Sequence, residues 1–442
     1  MNFLSFLLGR KHTPKRTHTV APLPLVYVVK DIERAVGSFP FNYYIVTTNS
    51  PLAQMYKSTY PEKIFIVRPT SQVLNTYTLL QHQDTHDAIK EIQKIHGTQP
   101  DVVVFINTER IRSYAESCGL KIANPSPSHN EKIEHKIRLV EWLGKDADLL
   151  PEHRVGKLSA LQPFKYPFIL QWGLGHTGNN TETISDSTTF NAYVQKFPER
   201  EARITQIIHG PTITVNLVTD NRVTHCGSPS YQITGLRPWT DTDWSTVGND
   251  WALGAHLVHL YGELPFRKLV KRIAERMSDS GWHGLYGLDI VIDTEAPPEH
   301  RFKLIEINAR QPASVTFESE LARNHLTDPE QPTLFDLHIA ALRSTEPRSN
   351  HKPHTLEFMP YIKNGAQLVQ RITRDRVSTP NIPHLTDHMY TWKIISYDNK
   401  EHLDDMLRVQ TYGHFMIEHN KLSPEGLALR ALLNKHINSE NL

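Results

Sequence analysis

The sequence has only two cysteines, Cys118 and Cys226, among 442 residues. A disulfide framework or a zinc cluster needs more of them, so both are expected to be buried, reduced thiols. The 48 basic and 47 acidic residues leave a net charge of +1, without the excess of positive charge that indicates a nucleic-acid partner. No apolar run approaches the roughly 20 residues of a membrane-spanning helix. These absences favour a soluble globular protein, for which the cytoplasm is the expected location.

The first 20 residues contain the one local concentration of charge, with four basic residues between positions 10 and 16 behind a short apolar run. The run is too short for the core of a signal peptide, and the charges follow it instead of preceding it. We therefore expect residues 1–20 to form a disordered or loosely ordered tail. The chain is too long for one ordinary core, which predicts two or three packed units.

Residues 21–127 alternate short β-branched segments with helical patterns. Parallel strands that are buried on both faces have such continuous apolar sequences. The alternation of strands and helices therefore predicts an open α/β domain. The predicted strands are Leu25–Val29, Tyr43–Thr47, Ile64–Val67 and Val102–Ile106.

A new helix is predicted just after this domain. Ser128 and Glu131 have the spacing of a capping box, in which each side chain bonds a backbone amide near the start of a helix. Ile133 and Ile137 fall on one face of the predicted helix, which ends near Gly144. This helix is expected to open the second part of the chain.

Strand patterns follow this helix. Phe168–Gln171 is a short apolar strand that runs directly into a glycine-rich loop. Arg203–Ile208 and Ile213–Val218 are separated by a Gly-Pro turn, which suggests a β-hairpin. The block from about position 346 has several β-like runs and a final helix with Ser423 as its N-cap.

The glycine-rich loop contains Gly173, Gly175 and Gly178, followed by Asn179. Glycines let backbone amides approach phosphate oxygens closely, and small polar side chains add further donors. The same spacing occurs in the dinucleotide-binding fingerprint, but that fold needs a helix to open at the third glycine. Here helical periodicity resumes only near Phe190. The pattern favours a hairpin that covers phosphates over a Rossmann site.

Two later strands carry oxygen-bearing side chains. Asp289 lies within one strand, and Glu306 and Asn308 end the next strand. Residues two apart on a strand point to the same face, so Asp289 can join the other two if the strands are neighbours. Such a cluster suits Mg²⁺, which takes one or two carboxylates together with phosphates and water. Arg310 has the same parity, and its planar fork can hold a phosphoryl group.

Taken alone, each of these strands would be an ordinary strand with a surface acid. The ordered set, a glycine loop, a G-x-x-G-x-D strand and then E-x-N-x-R, resembles the ATP-grasp superfamily over roughly residues 130–315. The resemblance implies a mixed α/β and α+β fold with an open α/β pre-ATP-grasp domain before a two-lobed ATP-grasp domain. The implied domains are 21–127 (pre-ATP-grasp), 128–345 (ATP-grasp, with a small lobe at 128–208 and a large lobe at 209–345) and 346–442 (C-terminal α+β subdomain).

The resemblance also implies the ligands of the site. ATP would lie between the two lobes, and the three oxygen-bearing side chains would hold two magnesium ions, with manganese as a substitute. The adenine would contact the inter-lobe strand at Gln206, Ile207 and Ile208. Acidic ribose contacts are common in the family, but this chain has Thr205, Gln206 and Thr212 in that region.

Two further positions bear on the nucleotide. Lys136 matches the family lysine that opens the small lobe and reaches the phosphates, while the competing interpretation is a solvated helix-surface lysine in an i,i+4 ladder with Lys132. A second family lysine usually ends the strand before the glycine loop, where this chain has Gln171. Glutamine brings no charge. Either nucleotide binding is weaker, or another cation such as Lys157 or Lys165 substitutes.

The implied function is that of an ADP-forming ligase. It would activate a substrate carboxylate as an acyl phosphate and join it to an amine, with an amino acid or peptide as the favoured substrate class. One alternative is a biotin carboxylase-like enzyme, although the methionine-lysine-methionine biotinylation signature is missing. Others are a non-catalytic ATP-binding regulator and, least favoured, an NAD-dependent dehydrogenase. No nucleic-acid or membrane partner is expected, and the oligomeric state stays open, with a homodimer as one option.

Overall fold

The structure is a computed structural model that describes residues 22–70, 74–173, 181–325, 331–344, 354–374, 376, 390–397 and 404–436. The predicted tail at 1–20 lies outside the described residues. The chain divides into two compact units, the first consisting mainly of residues up to Pro127 and the second mainly of Ser128 onward. No helix in the described ranges is both long and apolar enough to cross a membrane.

The first unit is built on a parallel sheet, as the sequence predicts. Its strands are β1 (Leu25–Val29), β2 (Tyr43–Thr47), β3 (Ile64–Ile66) and β4 (Asp101–Val104), and its helices are α1 (Pro51–Thr59), α2 (Thr76–Gln81), α3 (Gln83–His96) and α4 (Glu109–Ser117). The strands run parallel in the order β3-β2-β1-β4. Because helices cover such a sheet on its faces, strand residues such as Val26, Ile45 and Val103 are fully buried.

The two cysteines are free thiols in different environments. Cys226 is buried, as expected, whereas Cys118 is exposed. Cys118 follows the last turn of α4 as its C-cap, and a helix end at the surface leaves its side chain in water. The prediction that both thiols are buried is therefore wrong for Cys118.

The helix predicted from Ser128 to about Gly144 is two helices, α5 (Pro127–Glu134) and α6 (Arg138–Leu143). Between them the backbone N–H of Lys136 donates to the carbonyl of Gly173 at 2.8 Å instead of to the carbonyl four residues earlier. The prediction of one continuous helix is wrong because a tertiary hydrogen bond overrides the local helical pattern. The break places Lys136 beside the first glycine of the loop.

The smaller sheet of the second unit lies in the small lobe. It consists of β5 (His153–Lys157), β6 (Phe168–Gln171), β7 (Thr181–Ile184) and β8 (Glu201–Gln206), with helix α7 (Ser187–Lys196). The strands are antiparallel in the order β5-β8-β6-β7. Phe168 and Leu170 of β6 and Ile204 of β8 are fully buried in its core, and α7 adds Phe190. The alternation of these strands sets which side chains face that core.

The central sheet is larger and contains ten strands in the described chain. They are β9 (Thr212–Thr219), β10 (Val223–Cys226), β11 (Ser230–Thr234), β12 (Thr246–Asp250), β13 (Gly284–Ile292), β14 (Phe302–Asn308), β15 (Thr355–Phe358), β16 (Ala366–Arg371), β17 (Lys393–Ser396) and β18 (Asp405–Thr411). The main path runs β14-β13-β9-β11-β12-β16-β18-β17, and β10 pairs with β9 and β15. The candidate acidic strands β13 and β14 therefore lie at one end of the path.

Helices pack beside this sheet. They are α8 (Trp251–Tyr261), α9 (Glu263–Asp279), α10 (Val315–His325), α11 (Leu334–Arg343) and α12 (Pro424–His436), and a short hairpin, β19 (Met416–Glu418) and β20 (Lys421–Leu422), precedes the last of them. On α9 the buried residues Phe266, Leu269, Val270, Ile273 and Met277 recur every three or four positions. That spacing makes one apolar face, which packs into the same core as β13 and β14.

Strands β8 and β9 belong to different sheets, so the β-hairpin predicted for Arg203–Ile208 and Ile213–Val218 is wrong. The chain passes from one sheet to the other between Gln206 and Thr212. Gly210 lies in this passage, where a Cβ would collide with the carbonyl oxygen of Ile292. Apolar content and a Gly-Pro turn cannot distinguish a hairpin from a crossing between sheets, because both need two strands and a bend.

The C-terminal block continues the central sheet through the antiparallel pairing of β16 with β12. Asp250 reinforces this connection. Its carboxylate caps α8 by accepting from the N–H of Leu253 at 3.0 Å, and it also accepts from the N–H groups of Phe415 at 2.9 Å and Met416 at 3.0 Å. The predicted cap of the last helix is confirmed, because the Ser423 hydroxyl accepts from the N–H of Gly426.

Candidate functional site

The two acidic strands are neighbours. β13 and β14 pair antiparallel, with Asp289 opposite Glu306 and Gly287 opposite Asn308. An irregularity in the register directly after Asp289 separates this end of the ladder from the rest of the pair. Since Glu306 and Asn308 are two residues apart on one strand, their side chains share a face. The sequence prediction that these strands bring Asp289, Glu306 and Asn308 together agrees with this register.

Asp289 is held on both carboxylate oxygens. Thr214 of β9 donates its hydroxyl to Oδ1 at 2.7 Å, and the amide of Asn308 donates to Oδ2 at 3.1 Å. The side chain is buried, and this burial together with the negative charge of Glu306 raises the pKa of Asp289 to about 7. Both neighbours are neutral donors, so the charge of Asp289 is poorly compensated within the protein.

Glu306 faces the small lobe. The ammonium of Lys136 donates to Glu306 Oε2 at 2.7 Å. Desolvation acts to raise the pKa of Glu306, but the charge and hydrogen bond of Lys136 outweigh it and lower that pKa to about 2. Lys136 is only 5% exposed. The interpretation of Lys136 as a solvated helix-surface residue is therefore wrong.

Arg310 lies at the end of the same row. Its Nη2 donates to Asn308 Oδ1 at 2.8 Å, and its Nε is 3.2 Å from a carboxylate oxygen of Glu134, the last residue of α5. Burial raises the pKa of Glu134, and the positive charge of Arg310 opposes that increase. Nη2 is thus bonded to Asn308 of the acidic cluster, and the ion pair with Glu134 holds Nε. This arrangement fixes a positive charge beside the acids.

Gln171 is buried at the end of β6 and bonds an arginine that the sequence analysis did not select. Arg203 lies directly opposite Gln171 on β8, and its Nε and Nη2 donate to Gln171 Oε1 at 2.9 and 2.7 Å. The two expected substitutes for the missing lysine, Lys157 and Lys165, are both exposed, and Lys157 forms an ion pair with Glu199. A charged residue between the apolar Ala202 and Ile204 of a strand was the available sequence signal for Arg203.

Gly173 is the one loop glycine that the structure describes. A Cβ at this position would collide with the imidazole of His135, so any larger residue here would have to displace that ring. Its carbonyl accepts from the N–H of Lys136. Gly175, Gly178 and Asn179 lie outside the described residues.

The predicted adenine contacts lie in the passage between the two sheets. Gln206 ends β8, is exposed, and donates its backbone N–H to the carbonyl of Glu152 at 3.0 Å. Ile207 and Ile208 follow as half-buried residues outside any strand. The structure therefore places these three residues at the end of β8 and on the connection that follows it towards β9.

The side chains of the acidic cluster have the chemistry of magnesium ligands. Among the described residues there is no group of three or more His, Cys, Asp or Glu that could hold a metal ion. The candidate ligands are instead two carboxylates, Asp289 and Glu306, and the amide oxygen of Asn308. Mg²⁺ is bound by one or two carboxylates with phosphates and water, and the two hydrogen-bond donors to the buried Asp289 carboxylate, Thr214 and Asn308, are both neutral. The residues fit the ion.

Comparisons with known proteins give a structural relationship without a sequence match. No protein-family model and no curated protein matches the sequence. N5-carboxyaminoimidazole synthetase from Staphylococcus aureus has a TM-score of 0.58 and 12% identity, covering 93% of this chain and 97% of that chain. L-amino acid ligase from Bacillus licheniformis has a TM-score of 0.57 and 13% identity, covering 96% and 100%. Biotin carboxylase from Campylobacter jejuni has a TM-score of 0.56 and 11% identity, covering 89% and 88%.

At these identities the similarity establishes the fold and nothing finer. It extends over nearly the whole of each chain, and all three proteins are ATP-grasp enzymes. The predicted ATP-grasp fold, with its mixed α/β and α+β content, is therefore confirmed.

Proposed function

We propose that this chain, which has the ATP-grasp fold, is an ATP-dependent ligase that forms a carbon–nitrogen bond. In the proposed reaction a substrate carboxylate attacks the terminal phosphorus of ATP, which gives an acyl phosphate and ADP. An amine then attacks the acyl carbon and displaces phosphate, leaving an amide. The proposed substrates are amino acids or short peptides.

One observation carries this proposal: the start of the glycine loop and the acidic row are joined by a single residue. The backbone of Lys136 bonds Gly173, and its ammonium bonds Glu306, which lies opposite Asp289. The first glycine of the proposed phosphate-covering loop and one of a pair of carboxylates suited to magnesium are therefore both bonded to Lys136. That combination is what transfer of a phosphoryl group needs, since its catalysis depends mainly on positioning and on compensation of charge.

Asp289, Glu306 and Asn308 are the proposed magnesium ligands, for two ions, with manganese as a substitute. Bound magnesium neutralises phosphate charge and makes the terminal phosphoryl group of ATP transferable. Thr214 orients Asp289, and Lys136 orients Glu306. The protein thus prepares both carboxylates before any ligand binds, which lowers the cost of ordering them.

Arg310 is the proposed catalytic residue. Its guanidinium is anchored by Asn308 and by the ion pair with Glu134, so its charge stays fixed beside the proposed magnesium ligands. A planar guanidinium can bond two oxygens at once and offset the charge that develops on them. The backbone around Gln206, Ile207 and Ile208 is the proposed adenine contact.

The loop residues Gly175, Gly178 and Asn179 complete the proposal as the cover over the phosphates. The choice of an amino acid or peptide substrate is supported by the L-amino acid ligase, which shares this fold over its whole length. The proposal of ATP as a substrate is supported by related structures that hold ADP or ATP.

Two other functions have a specific observation in their favour. An ATP-dependent carboxylase is suggested by the biotin carboxylase and the N5-carboxyaminoimidazole synthetase, which share the fold. A non-catalytic ATP-binding regulator is suggested by the neutral Gln171 at the end of β6. The carboxylase would release ADP in the presence of bicarbonate, whereas the regulator would bind ATP and release none.

The test is a screen for substrate-dependent release of ADP from magnesium ATP. The purified protein is incubated with single amino acids, pairs of amino acids, dipeptides or bicarbonate, and products are identified by mass spectrometry. A ligase requires an amide product whose formation matches ADP release and stops when EDTA removes the metal. Release with bicarbonate alone would favour the carboxylase, and ATP binding without release under any condition would favour the regulator.

A further inference from the structure

Arg203 is a buried cation whose bonding is incomplete. It is 3% exposed, and Gln171 accepts from its Nε and Nη2. Its Nη1 is also buried and makes no hydrogen bond to any residue that the structure describes. Unsatisfied buried donors are unfavourable, especially on a charged group. A purely structural role for Arg203 would not explain why Nη1 is buried without an acceptor.

The charge of Arg203 is also unpaired. No carboxylate in the described ranges comes within 4.0 Å of it, although the more distant Glu306 stabilises its charged form. Burial lowers the pKa of Arg203 to about 10, so the guanidinium remains positive at neutral pH. Glu306 already bonds Lys136. A full positive charge is thus held inside the small lobe by one neutral acceptor, and no carboxylate among the described residues is close enough to form an ion pair with it.

The position of Arg203 in the sheet indicates which kind of anion it would bind. Gln171, directly opposite Arg203 in the sheet, is the last residue of β6 and is separated by one residue from Gly173. A guanidinium with one free arm and a fixed stem is suited to phosphate oxygens. We propose that Arg203 binds a phosphate group of the nucleotide, with Gln171 as the positioning residue that holds Nε and Nη2 and leaves Nη1 for the ligand. The inference rests on the proposed function, because it requires that the site binds ATP.

The test compares binding of ATP with binding of adenosine, measured by calorimetry on the full chain. Arg203→Met removes the charge and keeps the approximate volume, so ATP should bind about 10- to 100-fold more weakly. Adenosine, which has no phosphate, should bind as it does to the wild type. The matched control is Lys196→Met, which removes an exposed cation of the same lobe and should leave both affinities unchanged.

A double variant separates charge from packing. Gln171→Lys combined with Arg203→Met moves the cation to the opposite strand, and ATP affinity should return to within about tenfold of the wild type. Arg203→Lys keeps the charge where it is and covers the case in which Arg203→Met does not fold. It should weaken ATP binding less than tenfold and leave adenosine binding unchanged.

Three results would overturn the proposal. One is wild-type ATP affinity in Arg203→Met, and another is an equal loss of ATP and adenosine binding in Arg203→Lys, which would indicate a purely structural role. The third is a wild-type chain that binds no ATP. That result removes the proposed function as well, whereas the first two leave the proposed function intact and remove only the role of Arg203.

Discussion

The candidate site combines two carboxylates from the central sheet with two cations from the small lobe, and the two pairs are held in different ways. A third cation, Arg310, follows β14. In the central sheet, Asp289 and Glu306 are placed by the pairing of adjacent strands. In the small lobe, Lys136 is placed by a break in a helix and Arg203 by a side-chain bond to Gln171. The acids therefore depend on backbone register, and the cations depend on single tertiary contacts. Substitutions of the acids and substitutions of the cations should therefore have different effects on activity and stability.

The largest effect on turnover is expected from Glu306→Gln. The change keeps the shape but removes a negative charge from the proposed magnesium site, so turnover should fall on the order of 10³-fold. The strand pairing remains, and the thermal transition should shift by only a few degrees. Steady-state release of ADP and calorimetric unfolding measure the two quantities.

The matched control for this prediction is Glu299→Gln, because Glu299 is an exposed acid on the connection between the same two strands. It should leave turnover and the thermal transition unchanged. Unchanged turnover in Glu306→Gln would remove the proposed magnesium ligands. A large drop in the thermal transition would instead assign Glu306 a structural role.

A smaller loss of activity, about 100-fold in kcat, is expected from Arg310→Lys. Lysine keeps the positive charge, but it cannot bond Asn308 and a phosphoryl oxygen with the same planar group. The KM for ATP should change much less than kcat, because the proposed contact strengthens as phosphoryl transfer proceeds. Equal changes in kcat and KM, or no change, would argue against a catalytic role. Arg112→Lys, a change at a partly exposed arginine on α4, is the control.

The sequence alone predicts most of the carboxylate cluster of Asp289 and Glu306. It predicts little of how the cations Lys136 and Arg203 are held. The parity of Glu306 and Asn308 follows from strand geometry, and so do the strands of the first unit, because period-two alternation and buried apolar runs are local properties. The break at Lys136 depends on a carbonyl at Gly173, which is 37 positions away in the chain. Local pattern contains no information on that contact, and it predicts an unbroken helix.

The same limit explains the two other errors around the site. The crossing between Gln206 and Thr212 has the local signals of a hairpin, and only the pairing partners of β8 and β9 reveal two sheets. Arg203 was overlooked because the family pattern directs attention to the strand of Gln171, whereas the cation lies on its neighbour. A search for charged residues inside apolar strands would have found Arg203 without showing what it contacts.

Glu318 is a second buried acid with a raised pKa, and it lies outside the proposed magnesium site. Glu318 of α10 is 2% exposed, and it accepts from the amide of Asn216 at 2.5 Å and from the N–H of Ser228 at 2.9 Å. No cation in the described chain lies within ion-pair distance of it. Burial raises the pKa of Glu318 to about 8. Its carboxyl therefore keeps a proton in the folded state at neutral pH.

This raised pKa makes stability depend on pH. Above its ordinary pKa of 4.5 the unfolded chain releases the proton that the folded chain retains, so the contribution of Glu318 to stability falls as pH rises from 4.5 to about 8. The slope from one group is at most about 1.4 kcal/mol per pH unit. Glu318→Gln, a neutral isostere, should remove that slope and leave turnover within about twofold. Denaturant unfolding at several pH values measures it, and parallel profiles for wild type and variant would contradict the prediction.

The smallest effect is expected from the ion pair of Lys136 and Glu306, which joins the small lobe to the central sheet. A double-mutant cycle with Lys136→Met and Glu306→Gln should give a coupling free energy of about 1 kcal/mol at pH 7, because the Glu306 side chain keeps 32% of its exposure and water screens the pair. The lowered pKa of Glu306 means that this stabilisation is present above pH 4.5 and is lost as pH falls towards 2. Additive effects in denaturant unfolding would mean that the ammonium does not stabilise the folded site. Lys136 would then act on the bound phosphates alone, and the two lobes would be coupled through the nucleotide and not through each other.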